Sequence, residues 1–171
     1  MQAEYPTMMR NLPATAIILA LLCGCGNYDF TINNRVVYTP DPLFTDFDIP
    51  DPGLRKCVEE AINDNLVTAA SELEGISCSQ AGISSLAGLS TFTQIEQLTL
   101  SSNDISDISE LGSLTVLQVL YLDNNQVVDA VPLYNLPALR LVDLTGNPGL
   151  RCPASGSLLR VGSIALPRHC L

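Results

Sequence analysis

The sequence predicts an α/β solenoid, in which short coils of chain repeat and stack on one another. Three observations support this prediction. Apolar residues recur with a period of 22 residues over about 75 residues, without an insertion or a deletion. A segment with one apolar helical face precedes the repeats, and cysteines stand at both ends of the array. Because each coil of such a stack buries its apolar side chains only against its neighbours, the two ends need caps.

The strand of each coil is visible when the chain is aligned on itself with a shift of 22 residues. In residues 117–125, LQVLYLDNN, Leu120 and Leu122 point to the same side of a short strand, because side chains alternate along a strand. Asn125 follows where the chain bends inward, and its amide can bond backbone groups that the turn buries. The four columns of this alignment are Leu73, Ile95, Leu117 and Leu139; Ile76, Leu98, Leu120 and Val142; Cys78, Leu100, Leu122 and Leu144; and Ala81, Asn103, Asn125 and Asn147.

The return segment of each coil carries apolar residues at a spacing of three. This spacing fits a 3₁₀ or irregular segment on the convex side of the stack. The columns are Ile83, Ile105 and Val127; Leu86, Ile108 and Ala130; Leu89, Leu111 and Leu133; and Phe92, Leu114 and Leu136.

The full pattern, L-x-x-L-x-L-x-x-N-x-I-x-x-I-x-x-L, resembles that of leucine-rich repeats. The 22-residue period and the segment Ile105-Ser106-Asp107-Ile108 resemble the bacterial internalin-like class. The resemblance implies a short leucine-rich-repeat horseshoe with a parallel β-sheet on its concave face. It also implies an N-terminal cap helix at 48–72, for which Asp51 would be the N-cap and Pro52 the first helical residue. The repeats would then cover 73–151, and residues 152–171 resemble a cysteine-fastened C-terminal cap.

The N-terminus predicts export. Residues 14–22, ATAIILALL, are too few to span a bilayer, which needs about 20 residues, but suit a signal peptide, whose apolar core takes about 7–15. Leu22-Cys23-Gly24-Cys25 resembles the lipobox of bacterial lipoproteins, which implies a lipid on Cys25. The residue after Cys25 is Gly26. A residue other than aspartate at this position resembles the outer-membrane sorting signal of Gram-negative enteric lipoproteins. An ordinary signal peptide and, less favoured, a Cys-x-Cys metal site are the alternatives.

This interpretation divides the chain into five parts. Met1, Met8 and Met9 are all candidate translation starts. A candidate strand at 35–38 lies in the second part, which otherwise shows neither the repeat nor a helical period. The parts are 1–24, a lipoprotein signal peptide; 25–47, the lipidated N-terminus and a flexible tether; 48–72, the N-terminal cap helix; 73–151, the repeats; and 152–171, the C-terminal cap.

Four cysteines remain once Cys23 is removed with the signal and Cys25 carries the lipid. Export places them in an oxidising compartment, where four cysteines allow three pairings. Read with the resemblance to capped repeats, Cys57 belongs to the cap helix and Cys78 to the first repeat, so their pairing would fasten cap to repeat. The resemblance likewise implies a bond between Cys152 and Cys170 in the C-terminal cap.

The other side of each strand forms the concave face, where three columns are exposed. Their character changes from small and polar in the first two repeats to apolar, around Tyr121, in the next two. An aromatic side chain with aliphatic neighbours and a charged rim indicates a binding patch. Packing between neighbouring strands is the alternative explanation. The predicted partner-binding residues are Gln97, Thr99, Val119, Tyr121, Asp123, Leu141 and Asp143.

Composition and motifs exclude several other functions. A formal net charge of −10 offers no basic stripe to nucleic acid and no charge-driven docking on an anionic membrane. The single histidine, His169, stands beside a cysteine expected to be oxidised, so a Cys–His catalytic pair is not indicated. Asp104, Asp107 and Asp129 are spread over different coils and are interpreted as turn residues, not as a calcium site. No catalytic site, metal ligand or cofactor is expected.

These observations lead to one functional prediction and one alternative. The prediction is an exported, monomeric protein, anchored by lipid to the bacterial cell envelope at the outer membrane, that binds another protein through its concave face. The alternative is a structural envelope lipoprotein without a specific partner. An enzyme is not expected.

Overall fold

A computed structural model describes residues 30–32, 35–38, 41–154, 158 and 161–171, so the predicted signal peptide and the predicted lipidation site, Cys25, lie outside the described residues. The chain divides into two units, Met1–Asp41 and Pro42–Leu171. In the first, β1 (Phe30–Ile32) pairs in antiparallel fashion with β2 (Arg35–Tyr38), where the sequence predicted a strand. Within these described ranges, no helix has the length and apolar character needed to cross a membrane.

The second unit contains the predicted N-terminal cap helix, α1 (Pro52–Asn65). It begins where the sequence predicted, because Oδ1 of Asp51 accepts hydrogen bonds from the backbone N–H groups of Gly53 and Leu54, at 3.0 Å each. The helix stops after Asn65 because the next residue, Leu66, has a left-handed backbone with φ of 54°. The apolar face of the helix, made of Leu54, Cys57, Val58 and Ile62, is buried.

The cap helix is joined to the first repeat through the same aspartate. Asp51 is only 6% exposed. Its second oxygen, Oδ2, accepts hydrogen bonds from Ser84 N at 2.9 Å, Ser84 Oγ at 3.1 Å and Ser85 N at 3.1 Å. One carboxylate therefore caps α1 and holds the turn of the first repeat against it.

The repeats form one parallel sheet of five strands in sequence order. Four of these strands come one per predicted repeat, and their central residues are buried as the alignment predicted. The fifth comes from the C-terminal cap, to which the sequence analysis assigned no strand. Continuing the shift of 22 residues past the array gives its signal, since Val161, Ile164 and Leu166 extend the three leucine columns. The strands are β3 (Gly75–Ser77), β4 (Gln97–Thr99), β5 (Val119–Tyr121), β6 (Leu141–Asp143) and β7 (Ser163–Ala165).

The return segments contain short 3₁₀ helices, as their three-residue spacing predicted. Each of the three central ones, Leu89–Thr91, Ser109–Ser113 and Val131–Leu133, buries one leucine of the repeat. These leucines and the strand leucines form a single core that extends from α1 to the C-terminal cap.

A ladder of buried asparagines joins the coils. Asn125 is 1% exposed. Its Nδ2 donates to Leu100 O at 2.9 Å and Leu122 O at 3.1 Å, and its Oδ1 accepts from Ile105 N at 3.1 Å. Asn103 and Asn147 repeat this set of bonds. Because two of the three bonds reach the preceding coil, each asparagine satisfies buried backbone groups and sets the stacking distance.

Two disulfides fasten the ends, and they join the pairs that the resemblance implied. Cys57 in α1 is bonded to Cys78, which directly follows β3, with 5.8 Å between their Cα atoms. Cys152 is bonded to Cys170, with 5.2 Å between their Cα atoms. Both ends of the core are thus closed by a covalent link.

The domain begins earlier than the sequence analysis placed it. Leu43, Phe44 and Phe47, assigned there to the tether, pack against the core. The ring centroids of Phe44 and Phe47 lie 6.0 and 5.5 Å from that of the fully buried Phe92. Aromatic rings at these distances stabilise one another beyond their burial. Residues 43–47 are therefore part of the cap that covers the N-terminal end of the core.

Candidate functional site

The exposed face of the sheet consists of rows of side chains that run across the strands. Gly75, Gln97, Val119 and Leu141 are register partners from β3 to β6, and Ser163 of β7 extends that row. The second row is formed in the same way by Ser77, Thr99, Tyr121, Asp143 and Ala165. Two of the three exposed columns read from the sequence are thus physical rows, and β7 adds one member to each of the two.

An apolar patch, which we define as Val119, Tyr121 and Leu141, lies in the middle of this face. Tyr121 is 36% exposed, and the two aliphatic side chains are half-buried. Val119 lies directly beside Leu141 in the sheet register. Neighbouring strands are about 4.8 Å apart, so the patch is continuous over β5 and β6. It presents an aromatic side chain beside two aliphatic ones, as in the centre of many protein interfaces.

Two aspartates border the apolar patch, and neighbouring groups hold both in place. Asp123 accepts hydrogen bonds from Ser101 Oγ of the preceding coil and from Asn124 Nδ2, the latter at 2.8 Å. Asp143 accepts from the backbone N and the Oγ1 of Thr145, at 2.9 and 2.7 Å. The rim therefore consists of negative charges in fixed positions beside an apolar surface.

Gln97 and Thr99 lie in a different part of the face from the apolar patch. They line a groove of about 390 Å³ between the sheet and the last turns of α1. The helix side of this groove is formed by Glu60, Ala61 and Asp64, which the sequence analysis did not include. The seven predicted residues are thus divided between this groove and the patch with its rim. The two areas remain adjacent, because Thr99 and Tyr121 are register partners.

The helix side of the groove had a signal in the sequence. Cys57, Glu60, Ala61 and Asp64 are three, four and seven residues apart, so they share one face of a helix. The bond from Cys57 to Cys78 turns that face toward the end of β3. The predicted disulfide therefore already implied which helix residues border the sheet.

A charge gradient runs along the edge of the sheet where the strands begin. Equivalent positions on successive strands are occupied by Glu74, Glu96, Gln118 and Arg140. Each of the last three donates its N–H to the carbonyl of the one before, at 2.7 to 2.9 Å. Gln118 Nε2 also donates to Glu96 Oε2 at 2.8 Å. The edge therefore changes from negative at the first two repeats to positive at β6.

Three of the four other residues considered for chemistry, Asp107, Asp129 and His169, have side-chain partners. Asp107 and Asp129 each accept a backbone N–H two residues later, at 2.9 Å, as turn aspartates do. Asp129 also pairs with Arg151, at 3.2 Å. His169 Nε2 lies 2.9 Å from Leu150 O, and its neighbour Cys170 is in a disulfide, so the described residues offer this histidine no thiolate partner.

Comparison with known proteins found no matching family model and no matching curated protein. Among solved structures, the chain is similar to an internalin (inlF) from Listeria monocytogenes, with 26% identity and a TM-score of 0.62 over 70% of this chain and 37% of that one. This chain therefore spans little more than a third of the inlF structure.

Two further structures from Listeria monocytogenes are less similar. One is internalin C2 (inlC2), with 20% identity and a TM-score of 0.48 over 68% of this chain and 64% of that one. The other is the functional domain of InlJ, which includes a cysteine ladder, with 24% identity and a TM-score of 0.46 over 59% and 25%. Together with the 22-residue coils, the parallel sheet and the fastened caps, the inlF match shows that this protein has an internalin-like leucine-rich-repeat fold.

Proposed function

We propose that this protein is an exported, lipid-anchored module that binds another protein through the concave face of its repeats. The observation that carries the proposal is the apolar patch of Val119, Tyr121 and Leu141, with the fixed carboxylates of Asp123 and Asp143 at its border. An exposed aromatic residue with a charged rim is the usual anatomy of a protein-binding surface. The proposed activity is binding, without a catalytic step or a cofactor.

The fold itself does not require apolar residues at these positions. β3 and β4 carry Gly75, Ser77, Gln97 and Thr99 in the same two rows and the same register. Small and polar side chains are therefore compatible with this sheet. On β5 and β6, apolar side chains face solvent at positions where the register does not need them. This supports a role in recognition over a purely structural one.

The proposed anchor rests on the sequence of the N-terminus. A lipidated Cys25 would carry several acyl chains, and each buried methylene contributes about 0.8 kcal/mol, which is enough for stable anchoring. The proposed location is the outer membrane, and the proposed oligomeric state is a monomer. A detergent phase split tests the anchor: the wild type should enter the detergent phase, and Cys25→Ala should stay in the aqueous phase. A wild type found in the aqueous phase would refute it.

Partner capture from envelope extracts tests the proposed binding face. The soluble form, residues 26–171, would be compared with Val119→Glu/Tyr121→Glu, which places two charges in the apolar patch. The matched control is Val128→Glu/Val131→Glu, in which two exposed valines outside the sheet, at 41% and 54% exposure, receive the same charges. Circular dichroism would establish that all three chains are folded.

The proposal expects a protein that is retained by the wild type and by the control variant and lost by the patch variant. A protein retained equally by all three chains would bind elsewhere and would refute the role of the concave face. If no extract yielded any protein, the alternative of a structural envelope lipoprotein would replace the proposal.

A further inference from the structure

The C-terminal fastening contains three potential metal ligands that the proposed binding face does not use. The Sγ atoms of Cys152 and Cys170 and a ring nitrogen of His169 all lie within 4.8 Å of one another. Cys152 follows the last coil, whereas the other two residues belong to the 3₁₀ turn Arg168–Cys170. Two segments of chain therefore converge on this cluster.

We propose that Cys152, His169 and Cys170 bind a thiophilic metal ion, zinc, when their disulfide is reduced. Two thiolates and one imidazole are the ligand set of known three-ligand zinc sites, which leave the fourth position to water or another ligand. Thiolates also favour zinc over calcium or magnesium, which take oxygen ligands. In the oxidised state the two sulfurs are bonded to each other and cannot ligate, so the site exists only after reduction.

The geometry of the cluster fits a tetrahedral zinc ion after a small rearrangement. At a zinc–sulfur distance of about 2.3 Å, two thiolates on one ion lie about 3.8 Å apart. In the oxidised chain the two sulfurs are bonded to each other, so they must separate, and with 5.2 Å between the Cα atoms the backbone can stay in place. Rotation about the side-chain bonds of the two cysteines supplies this movement.

His169 is held in the way that metal-binding histidines usually are. It occupies the position that continues the asparagine ladder, 22 residues after Asn147. Its Nε2 lies 2.9 Å from the carbonyl oxygen of Leu150, a residue only 3% exposed. A neutral ring that donates from Nε2 keeps its lone pair on Nδ1. A bond of this kind to a backbone carbonyl fixes the ring and its tautomer for ligation.

Solvent access makes this disulfide the one that a reductant reaches first. Cys152 is exposed and Cys170 is half-buried, whereas Cys57 and Cys78 are 9% and 2% exposed. A dithiol reductant would attack one sulfur, form a mixed disulfide and release two thiols on this chain while its own thiols become a disulfide. Two electrons pass to the cysteines in this exchange. Zinc then displaces the two thiol protons and restores a link between the same two segments.

The test uses the full chain with Cys23→Ser and Cys25→Ser, so that thiols outside the repeat domain cannot bind metal. Limited dithiothreitol would be applied, peptide mapping would identify which disulfide opens, and the reductant would be removed. Zinc would be titrated in competition with a coloured chelator, and cadmium would be titrated while sulfur-to-metal charge-transfer absorption is followed. The oxidised chain, His169→Ala and Arg168→Ala would be treated in parallel.

The proposal expects one equivalent of zinc on the reduced chain and none on the oxidised chain. His169→Ala should weaken binding more than about tenfold, since even the loss of an outer-shell partner costs about 10–100-fold. Arg168→Ala, an exposed neighbour, should bind as the parent does. If reduction loosens the fold, one equivalent of zinc should restore the circular dichroism of the oxidised chain.

Five results would overturn the proposal. The reduced chain could bind no zinc, or His169→Ala could bind as tightly as Arg168→Ala. Cys152→Ser/Cys170→Ser could retain the metal, which would then belong to the other cysteines. Finally, Cys57–Cys78 could open before Cys152–Cys170, or zinc could fail to restore a fold that reduction had loosened.

Discussion

Asp51→Ala should lower the free energy of unfolding by about 3–5 kcal/mol, which is large for one polar residue. The loss of an N-cap accounts for about 1 kcal/mol of this. The remainder comes from the N–H groups of Ser84 and Ser85, which are left without their acceptor at about 1–2 kcal/mol each, because Ser84 is exposed and Ser85 is half-buried. The effect is large because the same carboxylate serves both the cap helix and the first repeat.

Asp51→Asn separates these two contributions. Asparagine caps a helix about as well as aspartate, so the bonds to Gly53 and Leu54 can persist. Its NH₂ group would then face the N–H donors of Ser84 and Ser85. We expect Asp51→Asn to lose about 2–4 kcal/mol, which is the part that belongs to the joint with the repeat.

The pH dependence of stability provides a second test of the same carboxylate. Burial alone would raise the pKa of Asp51, but hydrogen bonds from Ser84, Leu54 and Ser85 outweigh it and lower the pKa below its ordinary value of 3.8. A carboxylate with a lowered pKa contributes its full stabilisation above the unfolded pKa and loses it as the pH falls through the folded one. The stability difference between wild type and Asp51→Asn should therefore be constant above that ordinary value and shrink below it.

Urea unfolding followed by circular dichroism, with both disulfides intact, would measure these differences. The matched control is Glu72→Gln, since Glu72 also has a lowered pKa, through bonds from Thr68 N and Oγ1, but is exposed. It should lose much less stability than Asp51→Ala. Equal losses in the two variants, or an Asp51→Asn chain as stable as the wild type, would refute the reasoning.

Three further predictions concern the ladder, a disulfide and a turn. Asn125→Ala should lose about 3–5 kcal/mol of unfolding free energy in urea, because it leaves buried backbone groups unpaired, and a loss below 1 kcal/mol would contradict the ladder's role. Cys57→Ser/Cys78→Ser should lose about 3 kcal/mol by the same measurement, because the bond closes a loop with a sequence separation of 21, and a loss below 1 kcal/mol would show that the cap and the repeats do not unfold together. Gly88→Ala should increase proteolysis of the segment before α1, because φ is +88° and a Cβ would overlap the carbonyl oxygen of Asp48; an unchanged cleavage rate would argue against this contact.

The sequence alone predicted the parts of the fold that obey the repeat. A period without insertions assigns Leu120 and its equivalents to the core and Tyr121 to the exposed face, so the register of β3 to β6 follows from the alignment. The cap helix was predictable because Asp51 and Pro52 mark its first turn. In these regions the local residue preferences and the periodicity indicate the same structure, so a few residues suffice to predict it.

The parts that escaped prediction depend on contacts between segments that share no pattern. Phe44 and Phe47 lie outside the repeat, and only the packed structure brings them to Phe92. The groove beside Gln97 depends on the orientation of α1, which the Cys57–Cys78 bond sets. β7 lies beyond the predicted repeats, in the C-terminal cap, although Ile164 fits the column of central strand residues.

The asparagine ladder also governs how this protein could change during evolution. Every bond of the ladder joins a residue to groups in its own coil or about one period earlier, so no bond depends on a coil's place in the array. Unequal recombination that adds or removes one whole coil would recreate the same contacts at the new junction. A gain or loss of any other length would move apolar side chains from the core to the surface of the strand. The array can therefore lengthen or shorten in whole coils between its two fastened ends.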